Sequence, residues 1–512
     1  MAADFDIAIV GSGFGGSLMA MIARRLEKSV VLIEKGTHPR FVIGESSTPI
    51  ANLELEEITK RWDFPRLRPL TKWGTWQKSY PQLPCGLKRG FSFFHHTPSQ
   101  PWHFDRQSEL LVAASPRDAI ADTHWYRPSF DHFLVQEAIN EGVEYLDQVA
   151  LDRPEFMGDI VRLSGSHQGK PIRLQVRFLI DATGPGQFLN SSLKVPTTDF
   201  ETMPRTQALY SHFEGVRRFD DVFPHKELPP YPVDDAALHH VFPGGWIWVL
   251  RFNNGITSAG AAVTDEVAEK FNFKAGPKAW EQLLDSLPSV REQFTSAKPV
   301  ERFIHAQRLS WRTAQAKGPR WVLLPGTAGF VDPLLSTGIA LNLLGIERLA
   351  ETIGLKNSAR AEERLDHYAK ATLAELDFVA LLVSALYRHM GDFDMFASLS
   401  RLYFAAASYS ETLRRLGRKA EGFLHHRALA PHFRLLLMKA LVPNLQPLQR
   451  TALLEELRKV IEPIDIAGLT DPARRNWHPV QVDDLLANRN KLPASEDEIQ
   501  HLLQQCGFFD PP

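Results

Sequence analysis

Gly11-Ser12-Gly13-Phe14-Gly15-Gly16 is the first segment whose residue types and spacing could do chemistry. Gly11, Gly13 and Gly16 stand at GxGxxG spacing. In a strand–turn–helix unit the first glycine makes the tight turn and the second lets the backbone approach a pyrophosphate. The third lets helix and strand pack closely. The helix start then turns unpaired N–H groups and the positive dipole end toward the phosphates. Glu34 follows at the distance where a carboxylate binds a ribose 2′-hydroxyl, and an acid there disfavours a 2′-phosphate and hence NADP. NAD and FAD fit these residues equally well.

The elements that must position them are legible nearby. Residues 5–10 read as a short buried strand, residues 17–26 as a helix and residues 30–33 as a second strand, which together make a βαβ unit. Residues 128–142 read as a helix, 178–180 and 321–324 as buried strands, and 338–353 as a strongly apolar helix. Between about 190 and 310 the pattern is strand and turn, and beyond 355 it turns to helices. Strand–helix pieces at both ends of residues 1–350 flank a strand-rich insert, so the fold class is mixed α/β (α+β). The expected architecture is a discontinuous Rossmann-like module (about 1–70, 105–190 and 300–350) with an inserted antiparallel substrate sheet (about 71–104 and 191–299). Residues 351–512 form a mostly helical C-terminal region in this reading.

Later segments decide between the two dinucleotides. Gly329-Phe330-Val331-Asp332-Pro333-Leu334-Leu335-Ser336-Thr337-Gly338, set before a long apolar helix, resembles the second FAD-contacting segment of the aromatic-hydroxylase-like flavoproteins. Arg127-x-x-Phe130-x-x-x-Leu134 resembles their arginine segment, and Asp181-Ala182-Thr183-Gly184 matches a further strand-end motif. Each has an ordinary reading as a helix cap, a solvated arginine or a tight turn. Four such segments in the right order point to FAD.

Finer motifs resemble the flavin-dependent halogenases. His38-Pro39-Arg40-Phe41 with Gly44-Glu45-Ser46, and Leu238–Phe242 followed by Gly245-Trp246-Ile247-Trp248-Val249, are similar to segments of that family. Cys85-Gly86-Leu87-Lys88-Arg89-Gly90-Phe91-Ser92-Phe93 looks like the catalytic-lysine segment of its branch acting on free phenols. The resemblance covers roughly residues 5–350 and is closest to the phenolic, phloroglucinol-type enzymes.

What the resemblance implies is specific. FADH2 reacts with O2 to a flavin hydroperoxide, chloride or bromide attacks it, and hypohalous acid passes through a tunnel to a lysine beside an electron-rich arene. Lys88 is then the catalytic residue, with Lys72 and Lys78 as competitors. Burial would have to lower its pKa from about 10.4 to free the amine. The implied FAD contacts are Gly11, Ser12, Gly13, Gly16, Glu34, Arg40, Gly44, Glu45, Ser46, Arg127, Val149, Asp332, Gly338 and Ile339. Ser336, Thr337 and Gly338 either hold the halide on backbone N–H groups or cap the helix toward the flavin pyrimidine. Phe91, Phe93, Trp246 and Trp248 would wall the substrate pocket, the two tryptophans having sheet core as their plain alternative. Where the family has Ile-Pro after the second tryptophan this chain has Leu250-Arg251, which alters that wall or charges the pocket. Leu335 stands where tryptophan-type enzymes carry a glutamate, which speaks against tryptophan as substrate.

Composition sets the outer bounds. The formal net charge of -2 offers nucleic acid no electrostatic footprint. Two cysteines, Cys85 and Cys506, make neither a disulfide framework nor a zinc site. The longest apolar runs stop short of the roughly 18 residues of a membrane span, and the expected location is cytoplasmic. No second nucleotide motif is visible, so a separate NAD(P)H-dependent flavin reductase is implied as partner. Two rival readings remain: an aromatic monooxygenase, disfavoured by Gly326-Thr327 where many carry Gly-Asp, and a flavin-dependent reductase of a lipid or isoprenoid.

Overall fold

The computed structural model describes residues 3–355, 357–418, 422–424 and 430–509, so parts of the expected N-terminal and C-terminal regions lie outside the described residues. Phe5–Val10 is the centre of the first sheet. It runs parallel to Val30–Ile33 on one side and to the end of Lys170–Asp181 on the other. Glu144–Leu146 and Trp321–Leu323 extend this parallel core outward. Ile7 to Val10 and Val30 to Ile33 are buried at every position. A strand buried on both faces reads as an unbroken apolar run and needs helices on each side. Phe14–Arg25 packs on Phe5–Val10 and Val30–Ile33 and contacts both Arg127–Asn140 and Thr337–Ile353.

The second sheet runs from Lys298–Pro299 through Thr206–Glu214, Thr257–Thr264, Gly245–Arg251, Ala237–Phe242 and Gly90–His95 to Glu109–Ala113 and Trp477–His478. Most neighbours are antiparallel. Gly90–His95 against Ala237–Phe242, and Glu109–Ala113 against Trp477–His478, are parallel because each pair joins chain segments far apart in sequence. The sheet therefore draws one strand from the 105–190 segment and one from the C-terminal region.

Alternation gives this sheet two different faces. Phe94, Ile247 and Val249 point to a local core covered by Trp280, Leu283 and Val290. Phe91, Phe93, Trp246 and Trp248 point the other way, into the main core shared with the nucleotide-type sheet and the C-terminal helices. Ser358–Arg388 and Phe393–Arg415 close that side, with Phe396 and Phe404 packed edge-on or tilted against the Phe91 and Phe93 rings. A buried phenyl ring of this kind contributes about 1.5–3 kcal/mol. The C-terminal helices are thus one wall of the interior rather than an appendage. A separate two-stranded sheet pairs Cys85–Lys88 antiparallel with Asp122–Trp125.

Candidate functional site

The three glycines at GxGxxG spacing, Gly11, Gly13 and Gly16, have three different surroundings. Gly11 has φ +101°, and a Cβ there would lie 2.6 Å from the Ala182 carbonyl oxygen. A Cβ on Gly16 would lie 1.9 Å from the Gly11 carbonyl oxygen, so strand and helix meet backbone to backbone. Gly13 is open, and its nearest neighbours are the Arg127 guanidinium at 3.6 Å, Asp131 at 3.7 Å and the Arg40 guanidinium at 3.9 Å. An open helix start facing two guanidiniums suits a pyrophosphate. Arg40 Nε is buried without a partner in the chain, which an incoming phosphate oxygen would supply.

Glu34 anchors this end. Its carboxylate accepts from Ser12 N (3.0 Å), Ser12 Oγ (2.9 Å), Gly36 N (3.0 Å) and Arg40 (3.2 Å). Burial would push its pKa up, but Arg40 and the N–H donors outweigh that and hold it below the ordinary value. Val149 N donates to the Glu34 carbonyl at 2.9 Å, placing Val149 at the same strand end. Arg127 is gripped by Asp131 (2.7 and 2.8 Å) and donates to the Ile43 and Gly44 carbonyls at 3.2 and 2.9 Å. Glu45 pairs with the buried His212 at 2.8 Å, and Ser46 Oγ is buried without a partner.

At the second segment, Asp332 is buried and accepts from Leu334 N (3.0 Å) and the Tyr387 hydroxyl (2.8 Å). Burial pushes its pKa up to about 7. Ser336 takes φ +54° as the residue before the helix Thr337–Ile353. Ser336, Thr337 and Ile339 are buried, whereas Gly338 is exposed and a Cβ on it would meet nothing within 4 Å. The residues at both glycine segments fit the two ends of FAD.

Lys88 is 0% exposed. Its Nζ donates to the Ser47 carbonyl at 2.5 Å and sits 3.9 Å from the centre of the Phe91 ring. Asp122 is its cross-strand partner. Burial pushes the Lys88 amine down and the Asp122 carboxyl up, each opposed by the other's charge. Of the two competitors, Lys78 is exposed, and Lys72 donates to the Cys506 carbonyl at 3.4 Å.

A cavity of about 220 Å³ has Asn52, Phe91, Asp122, Tyr403, Phe404 and Glu411 among its lining residues; Lys88 does not line it, but its Nζ packs on the Phe91 ring and its strand partner is Asp122. Phe93, Trp246 and Trp248 do not line it. They stand behind Phe91 in a continuous aromatic series, Phe91 to Phe93 (6.1 Å), Phe93 to His239 (4.5 Å) and His239 to Trp246 (5.2 Å). Trp246 Nε1 then donates to the Tyr387 hydroxyl at 3.3 Å, which in turn binds Asp332. Trp248 lies 5.7 Å from Trp246 and donates to Ser258 at 3.2 Å. Arg251 charges no part of the cavity, because it donates to Asp234 (2.9 Å) and to the Val216 and Arg217 carbonyls.

Residues 122–394 match the family model described as tryptophan halogenase. The chain belongs to the tryptophan halogenase family. It is 30% identical over 407 residues to monodechloroaminopyrrolnitrin halogenase PrnC of Pseudomonas fluorescens, covering 78% of this chain and 70% of that one. Tetracycline 7-halogenase of Kitasatospora aureofaciens is 25% identical, over 79% of this chain and 73% of its own. The fold is that of the crystal structure of halogenase PltM in complex with phloroglucinol and FAD, with TM-score 0.82, 23% identity, and coverage of 92% and 99%. This protein is thus a flavin-dependent halogenase, an oxidoreductase-type enzyme.

Sequence reasoning missed several side chains at this candidate site. Tyr387 and Tyr403 reach in from the C-terminal helices, and Tyr403 donates to the Leu335 carbonyl at 2.9 Å while lining the cavity. Asn52, which donates to Asp122 at 2.6 Å, and Asp122 itself were also missed. A tyrosine in a helix or an aspartate opening a strand has no local signature. Among the described residues no group of acids, histidines and cysteines could hold a metal, and no helix is long and apolar enough to cross a membrane.

Proposed function

We propose that this halogenase takes FADH2 from a separate NAD(P)H-dependent flavin reductase and halogenates a free, electron-rich, phenolic arene with chloride or bromide. The observation that carries this reading is Lys88: an amine with no solvent exposure, packed on the Phe91 ring that lines a cavity of about 220 Å³, and separated from the Asp332 segment by ring-packed side chains. Reduced flavin, when bound, supplies the activation of O2 and the oxidation of halide. Everything else is work for the chain.

Gly11, Gly13 and Gly16 bring the helix start up to the pyrophosphate, with Arg40 and Arg127 beside it and Ser12 and Glu34 at the ribose. Gly44, Glu45 and Ser46 run from there toward Lys88, and Val149 backs Glu34. Asp332, Gly338 and Ile339 face the ring system, and within the Ser336–Gly338 segment the N–H groups of Thr337 and Gly338 take the halide, since the Ser336 N–H already donates to the Pro333 carbonyl at 3.0 Å. Trp246 and Trp248 keep the arene away from the flavin side, so oxygen transfer to it is blocked. Lys88, kept partly unprotonated by burial, positions the halogen oxidant against the arene held over Phe91. PrnC and tetracycline 7-halogenase are named for ring systems not attached to a carrier protein, and PltM is named in complex with phloroglucinol; these support a free arene as substrate.

The test is turnover of purified protein with FADH2, O2, bromide or chloride and a panel of phenols, read by mass spectrometry. Halide-dependent ring halogenation is expected. Hydroxylated product formed without halide would instead support the monooxygenase.

A further inference from the structure

The cavity is longer than one ring needs. Tyr403, Phe404, Ala407, Ser408, Glu411 and Arg415 line it, at the spacing of one face of the helix Phe393–Arg415. At the helical rise the stretch from Phe404 to Arg415 covers about 16 Å. The helix Pro49–Arg61 runs beside it in the same direction. Thr48, Asn52 and Glu56 line the cavity from the Ser47–Lys88 end outward, and Glu56 meets Arg415 at 3.6 Å. The inner end is aromatic, with the Phe91 and Phe404 rings 5.0 Å apart. A cavity of about 150 Å³ already holds a benzene ring, so about 220 Å³ leaves room beyond one ring.

The helix Glu496–Gln505 lies across the outer end. Glu498 pairs with Arg418 at 2.7 Å, and Lys72 donates to the Cys506 carbonyl at 3.4 Å, which pins that helix at both ends. Leu502 and Leu503 lie between the pins and line the cavity. The charges there are already paired: Arg415 with Glu411 (2.7 Å) and Glu56 (3.6 Å), and Lys60 with Glu56 (3.0 Å). A further charge brought to this end would lose its water and enter a balanced set. Between the aromatic end and the paired charges, the helix face offers Ala407, half-buried, whose single methyl group leaves the lumen open.

We propose that the substrate is an arene carrying an uncharged apolar arm, with the ring over Phe91 and the arm running past Ala407 to Leu502 and Leu503. This rests on the reading of Lys88 given above and deepens it. Leu502 and Leu503 then select which arene binds, from the far end of the chain. The arm gains by leaving water along the whole helix face, and it fixes which ring carbon is held beside Phe91. A bare single ring fills only the inner part and is free to turn.

The experiment measures kcat/KM for bromination of 5-methylresorcinol, 5-pentylresorcinol and a 5-alkylresorcinol whose equally long arm ends in a carboxylate, with the FAD-loaded enzyme. Wild-type protein is expected to favour the pentyl arm over methyl by at least about tenfold, since each buried methylene contributes roughly fourfold at best. The carboxylate-ended arm should fall back to the methyl level or below. Ala407→Leu, which narrows the lumen, is expected to bring the pentyl-to-methyl ratio down to about twofold or less. Being a ratio, that result is insensitive to a general loss of activity, and the wild-type comparison needs no variant to fold. Calorimetric titration of the flavin-free protein reads the arm apart from the chemistry: 5-pentylresorcinol should bind at least about tenfold tighter than 5-methylresorcinol, with a more negative heat-capacity change. No preference for the pentyl arm in turnover or in affinity, a carboxylate-ended arm that matches it, or an undiminished ratio in Ala407→Leu would overturn the proposal and leave phenol halogenation standing. Bromination of none of the three would sink the reading of Lys88 and this one together.

Discussion

Lys88 Nζ donates to the carbonyl of Ser47 at 2.5 Å, and three residues earlier the carbonyl of Gly44 accepts from Arg127 at 2.9 Å. One short extended segment therefore ties the buried amine to the guanidinium beside the Gly13 helix start. The two ends of the site share a backbone, so the position of one constrains the other.

Lys88→Met keeps the length of the side chain and removes the amine. Halogenated product should fall by at least about a hundredfold, a loss on the scale of a deleted proton-transfer or nucleophilic group. FAD binding, followed by flavin fluorescence, should persist because no described contact of Arg127, Glu34 or Gly13 passes through the amine. Retained halogenation in a variant that still binds FAD would remove Lys88 from the chemistry.

The glycines of the first segment should separate folding from binding. Gly11→Ala and Gly16→Ala each drive a Cβ into backbone, at 2.6 and 1.9 Å, and should leave little folded protein. Gly13→Ala meets nothing nearer than 3.6 Å, so it should fold and melt close to wild type. Its methyl group would occupy the space facing the two guanidiniums. FAD affinity should drop about tenfold, or about 1.4 kcal/mol, by fluorescence titration.

Tyr403→Phe deletes the donor to the Leu335 carbonyl, one residue before the segment proposed to hold the halide. A lost hydrogen bond of this sort costs about 1 kcal/mol. The expected result is a halide KM raised about fivefold with FAD affinity unchanged. A halide titration at saturating arene checks it, and an unaltered halide KM would separate Tyr403 from halide positioning.

His225 gives the fold a pH signature. It lies 3.1 Å from Glu109 and 3.4 Å from Asp220, and Glu109 also accepts from Trp477 Nε1 at 2.6 Å. Burial alone would push the imidazole pKa down, but hydrogen bonds and charge from Asp220 and Glu109 lift it to about 9 from 6.5. A raised pKa in the folded state means stability that is complete below the unfolded value and lost as pH climbs through the folded one. The melting temperature should therefore decline between about pH 6.5 and 9. In His225→Gln that part of the decline should vanish, as differential scanning fluorimetry across this range would show.

Much of the cofactor end was legible in the sequence. Phe5–Val10 and Val30–Ile33 were read with the boundaries they have, because an unbroken apolar run between turn residues leaves little choice. The first helix starts at Phe14 rather than Ser17, since Gly13 with extended φ and ψ serves as its N-cap and the glycines join the first turn. The strand Glu109–Ala113 lies within a segment read as part of the nucleotide module, and its pairing with Gly90–His95 depends on a distant surface that no local pattern records.

Glycine spacing, the strand-end Glu34 and the order of the four segments follow from local backbone demands, and these are written residue by residue. The sequence alone therefore determined the βαβ unit and, through the motif around it, singled out Lys88 as the candidate residue. It could not show that Lys88 is fully buried, that Asp122 is its strand partner, or that Tyr387 reaches Asp332 and Tyr403 the Leu335 carbonyl. It also left open whether Arg251 charges the pocket, and pairing with Asp234 turns it away. Burial and charge partnership arise between segments hundreds of residues apart. They come into being only when the two sheets and the C-terminal helices enclose one interior.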